Sequence, residues 1–423
     1  MASTFEDDVE AWTAGAIRAG PTSFDDLVCH LPGVYPTEVR DALVRMRARG
    51  TIDDQEYQRA LRRQARVAPS PHVSALPVPH PLDFDWRFAD DALDVLTNTI
   101  DRLTPPSAEV LCLGTPSLTL RLRSATSHPV TFLDANVSMV DSVSVIAPAT
   151  GRGGDHCCRL GIDPLPSVAQ GLVVVDPPWY PEHFRVFIWA ASQLCRENGH
   201  VLVSFPPAGT RPGVSVERDQ ALDWAEEQGL ELVEIRRGAL PYRSPPFEQL
   251  ALSAAECNDL PIDWRRGDLL ILRRTSARTP APAILEAPSI HEGWVDLTDE
   301  LTGIKVRQPP QRASAAPVRS MLTGIVEGDV LPTVSRRDPR RQMASVWTAT
   351  NRVYACHDVA MLVVIARASP GEDSVEAVQF ALGRSLGPDE VRTVRSTSIQ
   401  LAELRATESS DLRHYGWLPP SIQ

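Results

Sequence analysis

The sequence predicts an α/β protein built around a doubly wound, mostly parallel sheet, because apolar runs alternate with helix-like stretches between residues 109 and 275. Continuous apolar runs are typical of strands buried on both faces, and strands separated by helices favour parallel pairing. Helices are predicted at Glu182–Arg196 and Val216–Gln228. The predicted strands are Glu109–Gly114, Pro129–Asp134, Cys157–Ile162, Leu172–Asp176, His200–Phe205, Leu230–Ile235 and Asp268–Arg273. Gly or Asp stands at the end of four of these runs, where such sheets bind their ligands.

Composition indicates a globular protein with more than one domain. The chain has 423 residues, of which 43% are hydrophobic and 23% charged. No apolar run approaches the ~20 residues that cross a bilayer, and the acidic N-terminus does not resemble a signal peptide. We therefore expect a cytoplasmic protein without membrane contact. Seven cysteines lack Cys-x-x-Cys spacing, so no metal site is predicted. The oligomeric state stays open.

Five segments are expected along the chain. Residues 1–66 form a winged helix, 67–82 a proline-rich linker, 83–278 the sheet domain, 279–345 a second linker or irregular region, and 346–423 a small, mainly helical domain.

The winged-helix prediction rests on three helical stretches followed by a short strand. The first helix spans Phe5–Ala19, Ser23 caps the second, Pro36-Thr37 opens the third, and Gly50-Thr-Ile begins a wing. Such folds bind DNA with the third helix, but they also serve as docking modules, and this one is net acidic. Nucleic-acid contact through this segment therefore remains an alternative.

The most informative motif is Asp176-Pro177-Pro178-Trp179-Tyr180, directly after an apolar strand. A carboxylate and the Pro177 carbonyl can accept hydrogen bonds from an amine, and prolines fix the backbone without competing as donors. Trp179 and Tyr180 would shape the acceptor pocket. The sequence therefore predicts that Asp176, Pro177, Trp179 and Tyr180 carry the chemistry, with a proline-rich turn after a core strand as the alternative.

The four strand ends together resemble the site of class I S-adenosylmethionine-dependent transferases. In that fold, the turn after the first strand lies under the methionine part of the donor, and an acid after the second takes the ribose hydroxyls. A group after the third reads the adenine amine. The resemblance implies that the donor-binding residues are Gly114, Thr115, Ser117, Asp134 and Asp163. Asp134 suits a vicinal diol because a carboxylate accepts two hydrogen bonds, although a turn aspartate is the alternative.

Over residues 1–275 the chain is similar to the branched-chain polyamine synthases. The resemblance is carried by Asp-Trp-Arg-Phe at 85–88, Val-Leu-x-Leu-Gly ending at Gly114, Asp-Pro-Leu-Pro at 163–166, and Asp176-Pro-Pro. It implies a class I fold after an N-terminal winged helix, S-adenosylmethionine or decarboxylated S-adenosylmethionine as cofactor, and aminopropyl transfer to a small-molecule amine such as spermidine.

Two departures from that family keep other acceptors open. The family follows its glycine with aspartates, whereas this chain has Thr115-Pro116-Ser117, so methyl transfer is an alternative. Trp179-Tyr180 resembles the loop of methyltransferases that stack on a flipped adenine or cytosine. Glu248, after the sixth strand, is a further substrate-binding candidate.

The leading hypothesis is a transferase that alkylates an amine nitrogen. The alternatives are a nucleic-acid amino-methyltransferase and a catalytically degenerate adaptor that binds DNA or a protein partner, since the turn at Gly114 contains a single glycine. Most of the net charge of −12 falls in the middle of the chain, which disfavours duplex DNA. His156-Cys157-Cys158 is interpreted as core rather than as a metal or thiol site. His183 is interpreted as a solvated helix residue, with a base in the acceptor pocket as the alternative.

Overall fold

A computed structural model describes residues 4–20, 23–62, 76–167, 169–257, 260–275, 293–297, 303–308, 322–335, 337–368 and 374–418. The chain divides into two compact units. The first comprises residues 1–67, 86–244 and 259–288, and the second 68–85, 245–258 and 289–423. Most of the predicted linker at 67–82 lies outside the described residues. No helix in the described ranges is long and apolar enough to cross a membrane.

The first unit is built on an eight-stranded sheet. Its strands are β1 (Arg87–Phe88), β2 (Val110–Leu113), β3 (Val130–Asp134), β4 (Asp155–Cys157), β5 (Gln170–Val175), β6 (Cys195–Phe205), β7 (Leu230–Arg243) and β8 (Arg266–Arg274). Its helices are α1 (Phe5–Ala19), α2 (Phe24–His30), α3 (Pro36–Ala48), α4 (Asp54–Ala60), α5 (Asp90–Leu103), α6 (Pro116–Ala125), α7 (Val137–Ile146), α8 (Pro181–Leu194) and α9 (Val214–Glu227).

The strand order is β1-β7-β8-β6-β5-β2-β3-β4. Strands β4, β3, β2, β5 and β6 run parallel, and β8 lies antiparallel between β6 and β7. Every residue of β2 and β5 is buried, as expected for strands covered on both faces. The predicted α/β class is therefore confirmed, with a sheet in which parallel strands are joined by antiparallel ones.

Three strands differ from their predicted bounds by five residues or more at one end, among them β6, which starts at Cys195 instead of His200. β4 covers Asp155–Cys157 instead of Cys157–Ile162, because it pairs with β3 only there and the chain turns at Gly161 (φ +80°). Cys158 is buried but Cys157 is exposed, so the core interpretation holds for one of the two thiols. β7 continues to Arg243, since it pairs with β8 along most of its length and with β1 at its end.

The N-terminal segment contains the three predicted helices, but the predicted wing strand is wrong. Residues 4–20 and 23–62 form α1 to α4 without a strand. The Ser23 hydroxyl caps α2 by accepting from the Asp26 N–H (3.1 Å). After the turn at Gly50, Asp53 and Glu56 form a reciprocal capping box that starts α4 where the wing was expected.

In the described residues of the second unit, a five-stranded antiparallel sheet is accompanied by four α-helices. The strands are β9 (Trp294–Asp296), β10 (Ile304–Arg307), β11 (Thr323–Gly324), β12 (Val346–Thr348) and β13 (Val353–Ala355), in the order β11-β13-β12-β10-β9. The helices are α10 (Pro246–Ala254), α11 (Val359–Arg367), α12 (Ser374–Leu382) and α13 (Pro388–His414). Three strands and a 3-10 helix (Pro339–Met343) thus lie between 279 and 345, where the sequence predicted a linker or irregular region.

A buried carboxyl group ties α13 to the turn between β12 and β13. Glu408 has no exposed surface, and it accepts hydrogen bonds from the Thr350 N–H (3.2 Å), the Thr350 hydroxyl and the Arg352 guanidinium (3.2 Å). Burial raises the pKa of Glu408 to about 7 in spite of these donors. The folded protein therefore binds a proton here more tightly than the unfolded chain does.

We predict that Glu408→Gln reduces the pH dependence of stability. Because the folded pKa lies above the unfolded one, the Glu408 contribution is fully present at acid pH and is lost as the pH rises through about 7. Each pH unit between the two pKa values changes the unfolding free energy by about 1.4 kcal/mol. Denaturant unfolding at several pH values between 5 and 8.5 measures how the unfolding free energy changes with pH. Glu403→Gln, at an exposed position of α13, is the control and should leave this pH dependence unchanged.

Candidate active site

Three neighbouring strands end at the same level of the sheet. Leu113 of β2 is in register with Leu133 of β3 on one side and with Val175 of β5 on the other. Gly114, Asp134 and Asp176 follow these residues and therefore lie side by side. The ladder continues into them, since the Gly114 N–H donates to the Leu133 carbonyl (2.9 Å) and the Asp176 N–H to the Leu113 carbonyl (3.2 Å).

Asp134 and Asp176 thus flank Gly114 at one edge. Adjacent strands lie roughly 4.8 Å apart, so the two aspartates are separated by about two strand spacings. Gly114 has φ +66°, and a Cβ there would lie 3.3 Å from a ring carbon of Phe187 and 3.4 Å from the Asp176 carbonyl. Both the backbone conformation and the close packing require glycine.

The residues after Gly114 begin helix α6. Thr115 is buried, and its side chain lies beside the thiol of Cys112, so its hydroxyl points into the packed sheet. Pro116 occupies the first helical position. Ser117 is partly exposed in the first turn, where backbone N–H groups have no intrahelical partner.

Asp134 and Asp163 lie on the β3–β4 side. The Asp134 carboxylate accepts from the Asn136 N–H (2.9 Å). Both oxygens of Asp163 accept from Arg159, through its N–H (2.8 Å), Nε (3.1 Å) and Nη2 (2.9 Å), and these bonds hold the pKa of Asp163 below its usual range. Cys157 lies near both carboxylates: burial and then the charges of Asp134 and Asp163 raise its thiol pKa. This edge is therefore acidic and lined by one exposed thiol.

On the β5 side, a chain of side-chain hydrogen bonds ends at Asp176. The Trp179 indole Nε1–H donates to the Ser204 hydroxyl (3.1 Å), which is hydrogen-bonded to the Tyr242 hydroxyl. Tyr242 in turn donates to Asp176 Oδ1 (2.6 Å). We call these four residues the Asp176 network.

The direction of donation in the Asp176 network is determined by its two ends. An indole N–H can only donate and an ionised carboxylate can only accept, so both hydroxyl protons must point toward Asp176. Burial, followed by the charge of Asp176, raises the pKa of Tyr242 well above its ordinary value. Tyr242 therefore remains a protonated donor at any physiological pH.

Close packing holds the aromatic members of the network in place. The rings of Trp179 and Tyr242 meet edge to face at 5.5 Å, and Phe88 of β1 packs on Tyr242 at 4.9 Å. Gly267 lies beneath them: a Cβ there would be 2.9 Å from Trp179 Cζ2 and 3.2 Å from Tyr242 Cε2. Trp179 and Tyr242 can therefore pack in these positions only because residue 267 has no side chain.

The remaining predicted acceptor residues belong to different elements of the chain. Pro177 is buried, and Tyr180, at the N-cap of α8, has the Arg211 guanidinium over its ring at 5.1 Å. Glu248 is fully buried in α10 of the second unit. His183 is 3% exposed, so its interpretation as a solvated residue is wrong.

Ser204, Tyr242 and Gly267 are site residues that the sequence did not predict. A local pattern could have indicated only Ser204, because it is a polar residue near the end of an otherwise apolar stretch of β6. Tyr242 lies 38 residues further along the chain and Gly267 belongs to β8. Their roles depend on the position of β8 between β6 and β7, which no local pattern indicates.

Among known proteins, no family model and no curated protein matches this chain. Similar solved structures include the branched-chain polyamine synthase from Thermus thermophilus in complex with N4-aminopropylspermidine and 5'-methylthioadenosine, which is 18% identical with a TM-score of 0.46 over 66% of this chain and 91% of that one. Its C9 mutein is 17% identical, with a TM-score of 0.48 over 67% and 92%. The N-methyltransferase NodS from Bradyrhizobium japonicum is 14% identical, with a TM-score of 0.31 over 44% and 99%. These likenesses are too distant to identify an activity.

We predict that Gly267→Ala disrupts the Asp176 network without removing any polar group. The new methyl would push Trp179 away from Ser204, and overpacking of this kind destabilises by about 1–3 kcal/mol. Urea unfolding and the near-ultraviolet circular dichroism of the tryptophans measure the two effects. Gly15→Ala, on α1 with no atom within 4 Å of its Cβ, is the control. An unchanged aromatic spectrum in Gly267→Ala would contradict the described packing.

Proposed function

We propose that this protein transfers an alkyl group from S-adenosylmethionine, or from its decarboxylated form, to the nitrogen of an amine. The observation that carries the proposal is the pair of aspartates flanking Gly114 at one edge of the sheet. One of them, Asp176, also accepts the hydrogen bond of Tyr242, the last donor of the network.

The residues on the β3–β4 side fit the nucleoside part of such a donor. The bare backbone at Gly114 permits close approach, and Asp134 is a carboxylate that can accept from two ribose hydroxyls in addition to the Asn136 N–H. Asp163 continues the same edge, although its oxygens already accept from Arg159. When bound, the donor supplies an electrophilic carbon next to a sulfonium.

The residues on the β5 side fit a group that donates hydrogen bonds, such as an amine, better than an acid. The Trp179, Ser204 and Tyr242 protons are all directed along the network, so these groups do not offer donors to a substrate. A carboxylate has about four lone-pair sites, so Asp176 can accept from Tyr242 and from an amine at once. The Pro177 carbonyl is a second candidate acceptor.

Orientation is the contribution that this geometry makes to the reaction. An amine hydrogen-bonded to Asp176 has its rotation restricted, which directs the nitrogen lone pair toward the donor side of Gly114. As the nitrogen becomes cationic, the nearby carboxylate stabilises the charge. Tyr242, by donating to Asp176, keeps that carboxylate in one rotamer, so the network acts by positioning.

A small-molecule amine is the acceptor class we favour, and both donors remain candidates. Thr115-Pro116-Ser117 replaces the aspartates that polyamine synthases carry, which weakens the argument for a polyamine and leaves methyl transfer as the alternative. Trp179 and Tyr180 could stack on a nucleobase, but the chain's net charge of −12 disfavours nucleic acid.

The proposal predicts that Asp134→Asn and Asp176→Asn separate donor binding from transfer. Asp134→Asn should weaken binding of S-adenosylhomocysteine about tenfold or more, because charged hydrogen bonds are worth about 1.5–3 kcal/mol. Asp176→Asn should leave that affinity nearly unchanged and lower the transfer rate about a hundredfold. Calorimetry measures the affinity for S-adenosylhomocysteine, and the rate of product formation with each donor measures transfer.

The exposed Asp141 on α7 provides the matched charge control, since Asp141→Asn should change neither quantity. In the wild type, a donor at 100 times its Kd should stabilise the fold by about 2.7 kcal/mol. If neither donor nor S-adenosylhomocysteine stabilises the wild-type protein, the adaptor alternative is favoured. A gel shift that weakens with salt would instead favour a nucleic-acid acceptor.

Alkylation of Cys157 should report on the nucleoside side of the site. Since burial and the charges of Asp134 and Asp163 raise its pKa, its reaction with iodoacetamide should keep accelerating above the ordinary thiol pKa of about 8.5. Saturating S-adenosylhomocysteine should slow this reaction, and Cys157→Ser identifies the modified residue. Equal rates with and without bound nucleoside would place the ligand elsewhere.

A further inference from the structure

The N-terminal helical module, residues 4–20 and 23–62, touches the active-site domain on both sides of the Asp176 network. On one side, the turn between α2 and α3 meets the loop that follows β6. On the other, Tyr35 meets the segment that enters β8. Both contacts lie within the first unit.

The first contact is a close backbone approach. The Gly209 N–H donates to the Pro32 carbonyl (2.8 Å), and a Cβ on Gly209 would lie 2.7 Å from that oxygen. Gly33 faces Pro207, where a Cβ would come within 2.9 Å of the proline ring. The same loop carries Arg211, whose guanidinium lies over the Tyr180 ring. The module is thus connected to Tyr180 through residues 206–213.

The second contact is aromatic. The Tyr35 ring meets Trp264 edge to face at 5.8 Å. The Arg265 guanidinium lies over Trp264 (4.8 Å), Trp86 (4.5 Å) and Tyr35 (5.8 Å). The Arg265 carbonyl accepts from the Tyr242 N–H (2.8 Å), so this contact leads to the hydroxyl that donates to Asp176.

The charges of the module do not suit nucleic acid. Three arginines at the end of α3 have acidic partners within the module: Arg45 and Arg49 pair with Glu10 (2.8 and 2.9 Å), and Arg47 pairs with Asp54 (2.8 Å). A phosphate would have to displace these carboxylates. The positive charge at the end of α3, the helix that would read DNA in a winged helix, is therefore balanced within the module. The contacts that the module makes through residues 32–35 are with the active-site domain.

We propose that the helical module sets acceptor specificity by holding Tyr180 and Tyr242 in place on either side of Asp176. Through residues 206–213 it fixes Tyr180, and through Trp264 and Arg265 it fixes Tyr242. The nucleoside side at Asp134 is not part of either contact. This inference rests on the proposed function, in that it assigns the acceptor side of the same site to the module.

A matched pair of glycines tests the proposal. Gly33 (φ +77°) and Gly50 (φ +70°) are both left-handed residues of the module, but a Cβ at Gly50 meets no atom within 4 Å. Gly33→Ala and Gly50→Ala therefore share the backbone strain and differ in the contact with Pro207. Hydrogen exchange of residues 205–213 and 176–181 should accelerate in Gly33→Ala beyond its rate in Gly50→Ala.

The functional readout uses spermidine as the amine probe and S-adenosylhomocysteine as the donor-site probe. Gly33→Ala should raise the KM for spermidine about tenfold to a hundredfold, as expected for misplacement of a positioning wall, while the Kd of S-adenosylhomocysteine stays within twofold. Equal exchange at 176–181 in the two variants overturns the proposal, whether or not spermidine is a substrate. The proposal is also overturned if Gly33→Ala raises the Kd of S-adenosylhomocysteine by the same factor as the KM for spermidine. A wild-type protein that binds no donor refutes the proposed function instead, and leaves the exchange comparison readable.

Discussion

The parallel register of β3, β2 and β5 is the constraint on which the candidate site depends. Hydrogen bonds between these strands place Leu133, Leu113 and Val175 at one level, so the next residue of each strand emerges at the same edge. A slip of one residue would turn every side chain of a strand to the opposite face and bury a charge in the core. Val110–Leu113 and Leu172–Val175 are apolar on both faces, so the charged residues that follow β3 and β5 are what oppose such a slip. Asp134 and Asp176 consequently lie on either side of Gly114.

In the proposed function, the Asp176 network makes this placement a fixed wall for the acceptor. A buried polar chain stabilises a single arrangement only when each member is satisfied, because an unpaired group in a low-dielectric interior is costly. Here the indole of Trp179 and the carboxylate of Asp176 are tied to each other through Ser204 and Tyr242. The aromatic wall and the charged group therefore keep a fixed relative geometry before any substrate binds, which is what positioning catalysis requires.

Charge pairing within the helical module bears on the partner that its helices can contact. Its α3 carries arginines as a DNA-reading helix does, yet Glu10 and Asp54 lie against three of them. The same contact is visible at Cys29 on α2. Burial raises the pKa of its thiol to about 11, the charge of Arg266 at the start of β8 opposes this rise, and the charge of Asp263 adds to it. The module therefore belongs physically to the active-site domain.

Local sequence patterns account for the α/β sheet, most of its strands, and the polar residues at their ends, because burial on two faces demands continuous apolar runs that end where the chain meets solvent. The Asp53–Glu56 capping box is an equally local signal for α4, although Gly50-Thr-Ile predicts a strand there. Contacts between distant parts of the chain account for the remaining features. Tyr242 reaches Asp176 across 66 residues of sequence, and Gly267 acts through the space that it leaves open. The second sheet pairs strands of two to four residues, too short for any periodicity to be read, so non-local hydrogen bonding alone defines them.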